Sequence, residues 1–349
     1  MNFPGDVEVA DLSILDEAER ADLVSLIQRS ERGETGASVT TAGDVGVFLD
    51  GPDAELWAGR LLRREGRLIG AQFVECYSEA RDVLLDPHVE TTMPKDRRRA
   101  ILDALLQDGL ASARIIAARY EASSSRPERH DPHPALVNAD PHWDTNPDIW
   151  QVTASSLAGE HERNDAYSRA GFRHVRTFAQ MRIDVAATTP APPAPRGVTS
   201  RVVCGDSDLR AVHAIYNEAF ADHWGEYPRA YESWLANHRA RPGHDEGQWV
   251  LAIVDGQPAG ICLCDDSKVP HGYGHVEILG VLRSARGRGV ADFLLRSAFA
   301  ASAARGLQGT ELEVDSSSPT GADRLYYKVG MRPHESYLSW LTPVHPPSA

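Results

Sequence analysis

The chain contains 349 residues, of which 42% are hydrophobic and 25% are charged. This balance is typical of a globular protein and excludes collagen-like, coiled-coil and disordered classes, and the length predicts two domains with ordinary hydrophobic cores. The formal net charge of -14 disfavours a protein that binds the phosphate backbone of nucleic acids, so we expect no DNA partner.

The amino-terminal residues indicate where in the cell the protein works, and the cysteines indicate whether it holds disulfides or a metal ion. Residues 1–19 lack a basic segment followed by an apolar one, and the sequence has no run of about 18 apolar residues. We therefore expect a cytoplasmic protein without a membrane partner. The four cysteines are too few for a disulfide framework and lack the C-x2-C pairs of structural zinc sites, so no metal is predicted.

The two halves of the chain contain similar segments in the same order. Gly66 and Gly256 belong to two strand-turn-strand segments, WAGRLLRREGRLIG and WVLAIVDGQPAG, and they align at an offset of 190 residues. Further along, YSRAGF at Tyr167 aligns with YYKVGM at Tyr326 at an offset of 159. The fall in the offset between the aligned segments predicts an insertion in the first copy near residues 122–148. We expect this insertion to be a long loop. The sequence therefore predicts a duplicated domain.

A proline-rich segment, AATTPAPPAPRG at residues 186–197, separates the two copies. Four prolines within six residues favour an extended chain that joins neither a helix nor a central strand. The predicted domains are therefore residues 1–185 and 198–349, with residues 186–197 as the linker.

Helical and extended patterns alternate along the second copy. This order predicts a mixed α/β fold in which helices cover the faces of a sheet. The predicted elements are a helix at 209–220, a hairpin at 249–260, a strand at 272–282, a helix at 289–305, a strand at 309–314 and a helix at 321–329 that ends at Gly330.

A glycine-rich loop, VLRSARGRGVA at residues 281–291, joins the predicted strand at 272–282 to the helix that follows. Gly287 and Gly289 permit a tight turn in which backbone N–H groups converge at a helix N-terminus, where a pyrophosphate group fits. Arg286 and Arg288 supply positive charge. Taken alone, the same segment is also compatible with a plain turn whose arginines face water.

The loop and the elements after it resemble the GNAT acyltransferase superfamily. Arg286, Gly289 and Ala291 occupy the defining positions of that family's R/Q-x-x-G-x-G/A motif. The segment VDSSSPTGA at residues 314–322, followed by LYYKVGM, is similar to the second cofactor-facing strand and helix of the family. The resemblance covers about residues 200–343.

The resemblance implies two tandem domains, each a mostly antiparallel sheet flanked by helices, and acetyl-CoA or another acyl-CoA as the cofactor. Ser318 stands where the family commonly has Asn, so its contact with the cofactor is carried over only weakly. The residues that the resemblance places at the cofactor are Leu279, Val281, Leu282, Arg286, Gly287, Arg288, Gly289, Val290, Ala291 and Ser318.

The first copy departs from the motif. Ala100 and Leu102 replace the glycines of the phosphate loop, and their side chains would fill the space where backbone amides meet phosphate. We therefore predict no cofactor in the first copy. The alternative is that Arg97, Arg98 and Arg99 hold phosphate by their side chains alone. A tandem pair with one degenerate copy resembles the mycothiol synthase family in layout.

The predicted strand at 272–282 carries two candidate bases. Alternation predicts that His275, Glu277, Leu279 and Val281 share one face of the sheet. An imidazole titrates near neutrality, whereas a carboxylate needs burial to raise its pKa. The resemblance slightly favours Glu277 as the base that deprotonates an amine, and His275 is the alternative.

Tyr326 stands at the family's position for the general acid that gives a proton to the leaving thiolate. A phenol suits this role because it stays protonated near neutral pH. The neighbouring Tyr327 is expected to pack instead, since it lies about 100° away around the helix. The resemblance also implies an oxyanion donor, a backbone N–H near Val281, where the strand is expected to bulge.

The loop at residues 220–227 is expected to select the acceptor. Asp222, His223 and Trp224 suit a cationic or polar amine, although the loop could also be a plain connection whose Trp224 packs on the core. The function implied is CoA-dependent N-acyl transfer, with acetyl as the default group, to a small-molecule amine. The alternatives are a donor on a carrier protein or an aminoacyl-tRNA, and a non-catalytic protein that binds CoA or a partner.

Overall fold

The computed structural model of the chain contains two compact units. Unit 1 takes the described residues of Met1–Asp131, Thr145–Thr177 and Tyr337–Ala349, and unit 2 takes those of Phe178–Ser336. The structure describes residues 3–12, 15–35, 40, 42, 45–46, 49, 55–77, 81–122, 149–221, 230–241, 243–316 and 322–344.

Unit 1 contains a mixed sheet. Its elements are β1 (Glu8–Asp11), α1 (Glu17–Thr35), β2 (Glu55–Arg64), β3 (Arg67–Tyr77), β4 (Asp82–Val89), α2 (Lys95–Ala122), β5 (Trp150–Leu157), α3 (His161–Arg169) and most of the final strand of the chain, β12 (Arg332–Val344). The strand order in the described residues is β1-β2-β3-β4-β5-β12, and the β4–β5 pair is parallel while the others are antiparallel.

Unit 2 repeats this plan. Its elements are most of β6 (Arg173–Asp184), then β7 (Val198–Val202), α4 (Gly205–Ala219), α5 (Tyr231–Ala240), β8 (Val250–Val254), β9 (Gln257–Asp265), β10 (Tyr273–Val281), α6 (Val290–Ala304), β11 (Gly309–Asp315) and α7 (Ala322–Val329). The strand order in its described residues is β6-β11-β10-β9-β8-β7, and here β10–β11 is the parallel pair.

The fold class predicted from the sequence is confirmed, since each unit is a mixed, mostly antiparallel sheet with helices. The elements predicted in the second copy are also confirmed, with ends that shift by no more than five residues. Helix α5 is an addition that the alternation did not predict. Residues 186–197 form neither helix nor strand. The predicted insertion near 122–148 lies almost wholly outside the described residues.

The last strand of each sequence half belongs to the sheet of the other unit. Strand β6 pairs with β11 through Phe178–Asp184, and β12 pairs with β5 through Tyr337–Val344. Each compact unit therefore combines strands from both halves of the sequence. The division into domains of residues 1–185 and 198–349 stays a proposal about the repeated sequence.

Equivalent hairpins in the two units share one turn geometry. Glu65 and Gly66 join β2 to β3, Asp255 and Gly256 join β8 to β9, and all four residues have positive φ, between 50° and 85°. Two consecutive residues with positive φ form the type I′ turn, whose twist matches that of paired strands. The glycine at the second position of each turn is therefore required by the backbone.

Two apolar clusters cover opposite faces of the unit 2 sheet. One contains α6 and α7 residues such as Leu294 and Tyr326 together with Val276 and Leu312 of the strands. The other contains α4 and α5 residues such as Ile215 and Trp234 together with strand side chains. Helix α4 reaches the sheet through Leu209, Val212, Ile215 and Tyr216, which are buried at spacings of three, three and one residues, the repeat of an amphipathic helix.

The start of β11 lacks room for any side chain. Gly309 pairs with Tyr273 of β10 and with Asp184 of β6, and a Cβ at this position would collide with the carbonyl oxygen of Ile183. We predict that Gly309→Ala destabilises the protein by about 1–3 kcal/mol, because backbone atoms in a sheet cannot move aside. Gly306→Ala is the control, since its Cβ meets nothing within 4 Å and only its positive φ opposes the change.

Urea denaturation followed by circular dichroism measures both variants. Gly306→Ala is expected to cost about 1 kcal/mol, the penalty of a left-handed alanine. A larger loss of stability for Gly306→Ala than for Gly309→Ala would contradict this account of the sheet.

Candidate active site

Strands β10 and β11 separate soon after they begin. The parallel ladder contains Tyr273↔Gly309, Gly274↔Thr310 and His275↔Glu311, and no further pair follows although both strands are described to their ends. Beyond this point the facing edges of the two strands no longer serve each other as hydrogen-bond partners. The separation therefore leaves an edge at which an extended polar chain can bind.

A β-bulge lies in β10 at the same point. The antiparallel register with β9 shifts between Val276 and Ile278, which leaves Glu277 as the extra residue. The expected bulge near Val281 is thus wrong by four residues, since the register is continuous from Ile278 to Val281. A bulge changes the face to which the following side chains point, so it overturns the alternation expected for this strand.

The side chains of β10 are sorted by the bulge. Val276, Leu279 and Val281 pack with the cluster on the α6 and α7 face, whereas Ile278 packs with the cluster on the α4 and α5 face. Glu277 reaches residues at the end of α5, so it lies on the latter face too. The expectation that Leu279 and Val281 share a face with Glu277 is therefore wrong, and the extra residue in the strand is the reason.

His275 is held by a buried carboxylate. Its Nδ1 lies 3.0 Å and 3.1 Å from the two carboxylate oxygens of Asp265, the residue opposite it on β9. Ser267 donates to Oδ1 of Asp265 from its backbone N–H at 2.9 Å and from its hydroxyl at 2.5 Å. Burial alone would raise the pKa of Asp265, but the bonds from His275 and Ser267 hold that pKa below its ordinary value. Asp265 is therefore an ionised acceptor.

Glu277 is paired with side chains at the end of α5. Its Oε1 contacts the guanidinium Nη1 of Arg241 and lies 3.6 Å from Nε2 of His238. His238 is buried, and its Nδ1 donates to the carbonyl oxygen of Trp234 at 2.9 Å. The carboxylate is only 11% exposed, and the Arg241 guanidinium beside it supplies the opposite charge.

Sequence reasoning missed Asp265, His238 and Arg241. The hairpin between β9 and β10 has a seven-residue connection, so the sequence did not reveal that Asp265 lies opposite His275. Helix α5 did offer a signal, because Trp234, His238 and Arg241 are spaced four and three residues apart. That spacing places two polar groups on the helix face whose Trp234 enters the core.

The glycine-rich loop has the conformation expected of an anion site. Gly287 and Gly289 both have φ of +77°, and Gly289 precedes the first turn of α6 without any side-chain cap among the described residues. The first N–H groups of the helix therefore remain available for an anion. Pro195 of the linker is the nearest neighbour of Gly289, 3.5 Å from the position a Cβ would take. Val290 is buried and anchors the helix beneath the loop.

The arginines of the loop are already engaged in structural contacts. Nε of Arg286 donates to the carbonyl oxygen of Val281 at 3.2 Å, which folds this side chain back onto the strand end. Arg288 forms an ion pair with Asp255 in the β8–β9 turn, with Nη2 3.1 Å from Oδ1. The positive ends of both guanidinium groups remain at the exposed side of the loop. The acidic Asp292 in the first helical turn is neutralised by Arg296 and Lys328.

Tyr326 and Tyr327 differ sharply in environment. Tyr326 is 7% exposed and lies in the cluster of the α6 and α7 face, where burial raises the pKa of its phenol to about 12. Tyr327 is 46% exposed, with the Arg332 guanidinium 5.9 Å from its ring centre, so the expectation that it packs in the interior is wrong. Residue 327 faces solvent because α7 buries only one stripe of its surface.

Two cysteines lie on one face of β9. The sulfur atoms of Cys262 and Cys264 lie 3.8 Å apart on β9, among the side chains of the α6 and α7 face.

Asp222, His223, Trp224 and Ser318 lie outside the described residues, so their predicted roles stay predictions. In the described residues no group of three or more His, Cys, Asp or Glu side chains could hold a metal ion. Among the described helices, none is long and apolar enough to cross a membrane.

In unit 1 the corresponding arginines are held by carboxylates. Arg97 donates to Asp6 at 2.6 Å, Arg98 forms two bonds to Glu162, and Arg99 lies 3.8 Å from Asp103. Arg98 also donates to two backbone carbonyl groups. These contacts weigh against the alternative in which the three side chains alone hold a phosphate.

Comparisons with known proteins show which families and structures this chain is similar to. Residues 209–331 match the model of the Acetyltransferase (GNAT) family. A mycothiol acetyltransferase of Frankia alni is 28% identical over 337 residues, which cover 93% of this chain and 92% of that protein. Another, of Tsukamurella paurometabola, is 30% identical over 186 residues, which cover 50% of this chain and 61% of the relative.

Two solved structures share the fold along nearly the whole chain. A GCN5-related N-acetyltransferase from Sphaerobacter thermophilus has a TM-score of 0.76 at 23% identity, with 99% of this chain and 98% of that chain covered. A tandem GNAT protein from the clavulanic acid biosynthesis pathway has a TM-score of 0.67 at 16% identity, with 98% and 100% covered. At these identities the likeness establishes the fold.

The loop geometry yields a prediction about Gly289. We expect Gly289→Glu to weaken acetyl-CoA binding by at least about 100-fold, because it adds a negative charge at the helix N-terminus and a side chain at positive φ. Gly306→Glu is the matched control, with φ of +73° and the same added charge beyond the other end of α6. Isothermal titration calorimetry measures both. Equal losses of acetyl-CoA affinity in the two variants, or undiminished binding in Gly289→Glu, would contradict the prediction that this loop binds the pyrophosphate of the cofactor.

Proposed function

We propose that this protein moves an acetyl group from acetyl-CoA directly to the amine of a small molecule, since residues 209–331 match the model of the Acetyltransferase (GNAT) family. The observation that carries the proposal is the separation of β10 and β11 next to the uncapped N-terminus of α6. Together they offer a strand edge for the amides of a pantetheine arm and backbone N–H groups for its pyrophosphate.

Several residues fit the cofactor. Gly287 and Gly289 leave the loop open, since a Cβ on Gly287 would meet nothing within 4 Å. Arg286 and Arg288 add positive charge at the exposed side of the loop, and the backbone of Leu279, Val281 and Leu282 lies at the separated end of β10. The bound cofactor supplies an activated thioester, and the protein has to orient it and manage two proton transfers.

Tyr326 suits the role of general acid. Its phenol is buried on the face that carries α6 and α7, and burial raises its pKa to about 12, so it is protonated at neutral pH. A protonated donor next to the leaving sulfur stabilises the thiolate that forms as the C–S bond breaks.

The face opposite α6 and α7 suits the acceptor. It carries His275 with Asp265, and Glu277 with Arg241 and His238, so it is polar around a core of aromatic rings. Such a surface fits a small polar amine better than an apolar one. The mycothiol acetyltransferase relatives support an acceptor of that kind, and the match to the Frankia alni protein covers nearly the whole chain.

Release of free thiol from acetyl-CoA tests the proposal. Purified protein is incubated with acetyl-CoA and a panel of amines that includes the acceptor of the mycothiol acetyltransferase relatives, and the acetylated product is identified by mass spectrometry. Amine-dependent thiol release with equal formation of the amide supports the proposal. Tight binding of acetyl-CoA without thiol release for any amine would favour a non-catalytic protein that binds CoA. Activity only with an acyl group on a carrier protein or a tRNA would show that acetyl-CoA is not the donor.

Tyr326 yields a prediction for the chemical step. Tyr326→Phe is expected to lower kcat by about 10²-fold or more with unchanged affinity for acetyl-CoA, because it removes a proton donor but keeps the buried ring. Tyr327→Phe is the matched control, since Tyr327 is exposed and lies one residue away. Steady-state kinetics and calorimetry measure both variants. A kcat for Tyr326→Phe within threefold of the unaltered protein would remove this tyrosine from the mechanism.

A further inference from the structure

Glu277 and His275 stand in very different electrostatic settings, although both lie on the acceptor face. The Glu277 carboxylate contacts the Arg241 guanidinium and has His238 3.6 Å away. The side chain of Arg241 is 49% exposed, so this ion pair joins a buried carboxylate to a guanidinium that reaches the surface. Glu277 is already engaged by Arg241 and is suited to hold that residue in place or to bind the cationic form of the acceptor.

The surroundings of His275 define which of its nitrogens carries a proton. Both oxygens of the Asp265 carboxylate lie within 3.1 Å of Nδ1, and an ionised carboxylate can only accept hydrogen bonds. The Ser267 hydroxyl is also 3.1 Å from Nδ1, but it donates its hydrogen to Oδ1 of Asp265. Nδ1 therefore carries the ring hydrogen, and Nε2 of the neutral ring keeps its lone pair. A carboxylate behind a histidine that acts as a base is the arrangement by which many enzymes fix the ring and stabilise its charged form.

Asp265 is itself fixed by the fold. It is the last residue of β9, it is 6% exposed, and two donors of Ser267 hold one of its oxygens. It also pairs with His275 across the β9–β10 ladder immediately before the bulge. The ring therefore cannot turn Nδ1 away without breaking contacts on both strands.

Other charged groups near His275 come from three elements. Glu277 lies two residues along β10 and is paired with Arg241, which follows α5. Glu311 is the residue opposite His275 on β11, and it is buried in an ion pair with Arg182 of β6. Each of these carboxylates has its own guanidinium partner, so Asp265 is the anion that acts most directly on the imidazole.

We propose that Asp265 is a positioning residue that fixes the Nδ1–H form of His275, so that Nε2 of His275 accepts the proton of the acceptor ammonium group. The proposal rests on the function proposed above and deepens it. It also replaces Glu277, which the sequence slightly favoured, with His275 as the base.

The proton balance of the reaction is complete with these residues. The ammonium group loses one proton to Nε2, and the imidazolium that forms faces the Asp265 carboxylate until the proton passes to solvent. The free amine attacks the thioester carbonyl, the C–N bond forms and the C–S bond breaks. The nitrogen then loses its second proton, and Tyr326 gives one proton to the thiolate and regains one, so a single net proton is released.

Asp265→Asn tests the role of the carboxylate. The two donors of Ser267 would keep the amide oxygen at the position of Oδ1, which turns the NH2 group toward Nδ1 of His275. The NH2 group then opposes a hydrogen on Nδ1, which favours the form with its hydrogen on Nε2, where the ring cannot act as a base. Asp266→Asn is the matched control, because Asp266 is the next residue and pairs with Arg305 and Gln248 instead.

Two measurements read out the variants. Nitrogen-15 NMR of labelled histidine, with substrate absent, is expected to find hydrogen on Nδ1 of His275 in the unaltered protein and in Asp266→Asn, and on Nε2 in Asp265→Asn. Kinetics are expected to find kcat lowered by about 10²-fold or more in Asp265→Asn, with the Kd for acetyl-CoA within threefold of the unaltered value. The Asp266→Asn variant is expected to keep both values.

His275→Gln keeps the test decisive if Asp265→Asn fails to fold. We expect His275→Gln to lose as much kcat as Asp265→Asn, and the double variant to lose no more than either, since the two residues act as a unit. Hydrogen on Nε2 in the unaltered protein, or a kcat of His275→Gln within threefold of normal, would overturn the proposal. If no amine is acetylated at all, the proposed function fails, while the NMR result still decides whether Asp265 fixes the ring.

Discussion

The early end of the β10–β11 ladder is the constraint on which the rest of unit 2 depends. A parallel pair of strands normally satisfies backbone N–H and C=O groups along its whole length, and here it stops at His275 and Glu311. The polar groups beyond that point need another partner, and an extended ligand with amides can supply it. The helix N-terminus at Gly289 and the tyrosine of α7 both flank the same opening, because each element follows one of the two separating strands.

The bulge at Glu277 changes the face of the sheet to which the following side chains of β10 point. Before it, His275 faces the side that carries α4 and α5, and after it, Leu279 and Val281 face the cluster of α6 and α7. One extra residue thus allows a single strand to present titratable groups on one face and apolar groups on the other. The ion pairs around Glu277 and His275 then give each group a distinct electrostatic character, even though the two are separated by one residue.

Unit 1 shows the same scaffold with different chemistry. Its parallel pair β4–β5 also contains three residue pairs, Asp82↔Gln151 to Leu84↔Thr153, before the strands separate. Asp86 and His88 lie on β4, two and four residues beyond the last pair of this ladder. They are joined to each other and to Arg163, which is buried and donates to Nδ1 of His88 at 3.3 Å. The polar groups at this opening are therefore satisfied by residues of the unit itself, which is consistent with a structural role.

The sequence by itself determined the mixed α/β class, the duplication, the elements of the second copy and the glycine loop, because these depend on local patterns of polarity and on residues with special backbone freedom. It did not determine that each final strand joins the other unit, since strand pairing depends on contacts between distant residues. It also placed Leu279 and Val281 on the wrong face, because a bulge arises from register between strands. Only the tertiary structure decided that Asp265 lies behind His275 and Arg241 beside Glu277, and the electrostatic setting of each candidate base depends on those neighbours.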